Sequence, residues 1–127
     1  MASLAPSSSL RADRSYQELY FAIAGFWTLE EMNVFLADLA RTALPFIKNK
    51  ERFTALGKLS DFVPQDRQTA EAIRSSLLEA TRNGLIRFAV VSPPPLVKMQ
   101  YKRIGEGMDV AFFDDETNAR GWLREAV

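Results

Sequence analysis

The chain has 127 residues, 47% hydrophobic and 25% charged, and its sixteen Lys and Arg balance sixteen Asp and Glu. These figures suit one globular domain with an ordinary core, and an even charge argues against a polyanionic partner such as nucleic acid. Cysteine and histidine are both absent, which excludes disulfides, thiolate nucleophiles, Cys/His zinc sites, haem-ligating His and His-based triads.

Residues 1–15 are small, polar and aperiodic, and are expected to form a flexible arm ahead of a single domain over 16–127. They lack the basic start and apolar run of a secretory signal, so a cytoplasmic location is expected. No stretch reaches the roughly 18–20 apolar residues of a membrane span. Leu19, Phe21 and Ile23 alternate as a first strand requires, and Gly25 marks its end. Thr28-Leu29-Glu30-Glu31 is a capping-box signature, followed by an apolar stripe at helical spacing that ends near Pro45.

A second strand is read at Phe53–Leu59, then the loop Ser60-Asp61-Phe62-Val63-Pro64. A second helix from Asp66 to Arg82 follows, stopped by Asn83-Gly84. Leu85–Val91 is nearly continuous in its hydrophobicity, as a strand covered on both faces should be. Ser92 and the three prolines behind it suit a helix start, with Leu96, Val97, Met99, Tyr101 and Ile104 as apolar positions. Val110–Phe113 is a short last strand, and Asp114-Asp115-Glu116-Thr117 caps a last helix. The order β-α-β-α-β-α-β-α implies an α/β fold with a four- to five-stranded, mostly parallel sheet.

Motifs for chemistry are mostly missing. There is no P-loop, no G-x-G-x-x-G after a strand and no G-x-S-x-G elbow. No residues specify a metal or a cofactor. The loop after the second predicted strand gathers Ser60, Asp61, Asp66 and Thr69 near the carboxyl end of the sheet, where α/β folds tend to bind ligands. Asp66 is equally explained as a helix cap. Phe26, Trp27, Met99 and Tyr101 are the aromatic and sulfur side chains placed to line a pocket or an interface.

The chain resembles the SpoIIAA-like branch of the STAS-type fold, small bacterial domains related in shape to anti-sigma-factor antagonists. Four stretches carry the likeness. They are Gly25-Phe26-Trp27-Thr28 ahead of the first helix, the strand-loop-helix from Phe53 to Ala80, and the apolar strand after Asn83-Gly84. The fourth is Val110-Ala111-Phe112-Phe113-Asp114 with Asn118-Ala119-Arg120-Gly121-Trp122-Leu123. The resemblance implies helices packed mainly on one face of the sheet. It also implies a non-enzymatic regulatory or protein-binding role, with a homodimer as one form.

The antagonists carry an Asp-Ser-Ser-Gly-type phosphorylation turn. Residues 60–69 lack the Ser-Gly element, leaving Ser60 and Thr69 as the hydroxyls nearby. The branch is similar in shape to lipid-binding Sec14-type domains, so a small apolar ligand is the alternative expectation, predicting a cavity lined by Phe26, Trp27, Met99 and Tyr101.

Overall fold

The structure, a computed structural model, describes residues 4–126. Five strands form one sheet: β1 (Ser7–Asp13), β2 (Glu18–Ala24), β3 (Phe53–Lys58), β4 (Leu85–Val91) and β5 (Val110–Phe113). Four helices accompany them: α1 (Leu29–Lys48), α2 (Arg67–Arg82), α3 (Pro95–Ile104) and α4 (Glu116–Arg124).

The strands lie in the order β1-β2-β3-β4-β5, with β1 antiparallel to β2 and the rest parallel. Each crossover from β2 to β5 therefore steps one strand in the same direction. Crossovers of one hand stepping one way must put their helices on one face. Accordingly α1, α2 and α3 cover a large core that includes Phe21, Phe46, Phe53, Phe88 and Tyr101. Only α4 crosses to the other face, packing Ala119 and Leu123 on Tyr20, Leu56, Ala89 and Val91. The expected mostly parallel sheet with helices mainly on one face is what the chain builds.

The arm expected over residues 1–15 needs correction. Ser7–Asp13 forms β1, with Leu10 opposite Phe21 and Arg11 opposite Tyr20. Its polarity comes from its place at the sheet edge, where backbone pairing to β2 replaces side-chain burial. The chain just before it closes on the end of β2, where the Phe26 amide donates to the Leu4 carbonyl at 2.9 Å. Gly25 has a φ of 84°, and a Cβ there would lie 2.4 Å from the Ala5 carbonyl oxygen. No larger residue fits.

Helix signals hold in detail. The Thr28 hydroxyl accepts from the Glu31 amide and the Glu31 carboxylate from the Thr28 amide, at 3.1 and 2.9 Å. The helix then runs past Pro45 to Lys48 rather than stopping there. Proline cannot donate to the carbonyl four residues back, but that carbonyl belongs to the exposed Arg41, while buried Phe46 anchors the last turn. Ser92 does not cap α3. Its φ is 53°, its hydroxyl donates to the Asp114 carbonyl at 2.8 Å, and Pro94 holds the cap position.

The last helix is fastened by charge as well as by its small apolar patch. Arg124 meets the fully buried Glu18 carboxylate at 3.1 Å, and its guanidinium lies 3.6 Å from the Tyr16 ring. Arg120 and Arg11 both lie close to the Tyr20 ring, at 5.2 and 4.1 Å from its centre. Cation–π contacts of this kind add modestly to apolar packing.

Candidate functional site

The loop after β3 is closed by hydrogen bonds. The Asp61 carbonyl accepts from the Gly25 amide at 2.9 Å. Asp66 caps α2 by accepting from the Thr69 amide at 2.8 Å, and that bond holds its carboxyl below the usual carboxylate range. Thr69 is buried, whereas Ser60, Asp61 and Asp66 are exposed. Asp66 and Thr69 thus meet in a helix cap.

Gln65, a residue that no sequence pattern singled out, holds this end of the sheet together. Its side-chain oxygen accepts from the Trp27 amide at 2.9 Å, and its nitrogen donates to Gly25 and Val63 carbonyls at 3.1 and 2.6 Å. The Gln65 main chain exchanges two bonds of 2.9 Å with the Gln100 side chain of α3. These bonds occupy the crevice where a parallel sheet tends to bind ligands. The strand order adds a second reason: ligand crevices form where crossovers diverge to opposite faces, and from β2 to β5 they never diverge.

An open space lies elsewhere. Between α1, α2 and the sheet is a cavity of about 190 Å³. Leu19, Phe21, Ile23, Phe53, Ala55 and Phe88 form its floor, α1 contributes Met32, Phe35, Leu39 and Ala43, and α2 contributes Ile73, Leu77 and Ala80. The space follows from small side chains: Ala43, Ala55 and Ala80 stand where larger residues would meet. Gly57 acts differently: a Cβ there would be 2.4 Å from Phe21 Cζ, so the glycine makes room for the end of the Phe21 ring.

Of the four side chains expected to line a pocket, only Tyr101 reaches this cavity. Burial pushes its phenol well above the usual tyrosine range. Trp27 is buried, with its indole N–H donating to the Ala24 carbonyl at 2.8 Å and its ring 5.5 Å from that of Phe35. It is a core residue. Phe26 and Met99 are exposed, and with Leu96 they are among the large apolar side chains facing solvent. Helical spacing alone could not tell inward Val97, Tyr101 and Ile104 from outward Leu96 and Met99.

Among the described residues no group of three or more acidic side chains could hold a metal ion, and no helix is long and apolar enough to cross a membrane.

No protein-family model matches the sequence, and no curated protein matches it. The architecture does have a solved counterpart. An uncharacterized protein of the DUF3478 family from Shewanella loihica PV-4, described as having a SpoIIAA-like fold, superimposes with a TM-score of 0.68. The match covers 97% of this chain and 98% of that one at 20% identity. The chain has a SpoIIAA-like fold. At that identity the likeness speaks for architecture, and function has to be argued from the site.

Proposed function

We propose that this protein binds a small apolar molecule in the cleft between α1 and α2. The observation that carries the reading is the 190 Å³ cavity, lined almost wholly by hydrocarbon. An engineered apolar cavity of about 150 Å³ stays dry and takes up benzene, so a void of this size has room for a small ring. Few polar groups line it and no acid–base pair converges in it, which favours binding over catalysis. The test is calorimetric titration with toluene. Saturable binding that Ala80→Leu abolishes without loss of fold supports the proposal, and no binding by the folded wild type rejects it.

A partner-binding or regulatory role is the second reading, and a separate feature favours it. Leu96 and Met99, 65% and 55% exposed, stand three residues apart on α3. Apolar side chains that share an exposed helix face are typical of contact surfaces. If they join two copies of the chain, sedimentation will show a dimer that Leu96→Lys with Met99→Lys converts to monomer. A wild-type monomer at high concentration removes the homodimer form of this reading.

A further inference from the structure

The cleft is apolar inside, but its mouth has a chemical sign. Of its lining residues, Ala40, Glu79 and Asn83 remain exposed and so define the opening, with half-buried Ser76 one turn earlier on α2. Among the described residues no lysine or arginine lines it. The Asn83 amide nitrogen is turned back onto α2, donating to the Glu79 carbonyl at 2.9 Å and to its carboxylate at 3.3 Å. The charged group on this rim is therefore a carboxylate, that of Glu79, with the Ser76 hydroxyl able to accept beside it. The opening also lies at the C-terminal end of α2, the negative end of the helix dipole.

Building on the cleft reading above, we propose that the preferred ligand is a primary amine on a compact hydrocarbon body. An ammonium group brings three donors to a rim of acceptors, whereas a carboxylate finds no lining cation and meets like charge. The competitor for Glu79 is Arg82, whose guanidinium sits 3.5 Å from it with both side chains largely exposed. Exposed pairs of that kind are weak and exchange readily. The volume limits the body: space slightly larger than that which holds benzene suits one ring with a short chain, and is too small for a long acyl chain.

The experiment compares four probes that share a phenyl ring: toluene, 2-phenylethanol, 2-phenylethylamine and phenylacetate. Each is titrated at neutral pH and low salt, by calorimetry and by NMR shifts of the cleft amides. The amine is expected to bind about threefold to tenfold tighter than the alcohol, with phenylacetate weakest. Glu79→Gln should bring the amine down to the affinity of the alcohol and leave toluene unchanged. Toluene binding without a preference for the amine, or with a preference for phenylacetate, overturns this proposal and leaves the cleft reading standing. No binding of toluene overturns both.

Discussion

The carboxylate of Glu18, buried at the head of β2, is held by the guanidinium of Arg124, 106 residues further along the chain, at 3.1 and 3.3 Å. The hydroxyl of Tyr20 donates to the same carboxylate. A buried charge is tolerated when it is paired, and stripping away its partner leaves an uncompensated ion. Arg124→Met should therefore lower the urea midpoint, and adding Glu18→Gln should recover part of the loss. If the double variant is no more stable than Arg124→Met alone, the pair is not coupled.

Gln65 satisfies three backbone groups with one side chain. Truncation to Ala would leave the Trp27 amide and the Gly25 carbonyl without these bonds in a buried setting. Leaving such groups unpaired costs about 1–3 kcal/mol each, so Gln65→Ala should destabilise by roughly 2–6 kcal/mol in urea unfolding. A loss within experimental error would mean that water replaces the amide.

The cavity predicts opposite effects for two substitutions on the same helix. Ala80→Leu fills empty volume and should raise stability by about 0.5–2 kcal/mol. Leu77→Ala enlarges the void and should cost about 2–5 kcal/mol. Denaturant unfolding measures both, and a destabilising Ala80→Leu would show that the space is not available to a larger side chain.

Two tyrosines predict the alkaline limit. Burial is the main cause that raises both Tyr20 and Tyr101, with the Glu18 carboxylate adding to the rise at Tyr20. Their folded values lie above the unfolded value of about 10, so the protonated form is favoured by folding. That contribution is complete below about pH 10 and is lost as pH climbs through the folded values. Stability should fall from about pH 10 upward, and Tyr101→Phe should flatten the fall. An unchanged profile in Tyr101→Phe would assign the loss to other groups.

Asp66 predicts a limit of the other sign. The Thr69 amide lowers its folded value, so its stabilisation is present above the unfolded value of about 4 and is lost as pH falls through the folded one. Asp66→Ala should be less stable than wild type at neutral pH, with the gap narrowing in acid. Equal gaps at both pH values would mean that the cap works without its charge.

Much of the fold was written in local signals. Thr28 with Glu31, Asp66, and the Asn83-Gly84 stop each act within one turn, and Leu85–Val91 reported its double burial through a hydrophobicity that only Arg87 interrupts. β1 left no such mark, because an edge strand held by backbone bonds needs only Leu10 among its polar neighbours. The site was less legible. Ala43, Ala55 and Ala80 look alike in a full core and in a hollow one, and a cavity is a property of what they fail to touch. Gln65 was silent for a similar reason: its partners lie in segments as distant as Gly25, with no spacing rule to link them.

Strand order has a consequence for how the molecule is made. From β1 to β5 each strand pairs with its immediate predecessor, so the sheet can grow in the direction of synthesis with each new strand finding its neighbour already in place. The salt bridge from Glu18 is the exception. On the ribosome that carboxylate must stay solvated until Arg124 has been added. The strands beneath α4 stay open on that face for the same interval, and any factor that attends the nascent chain would meet them there.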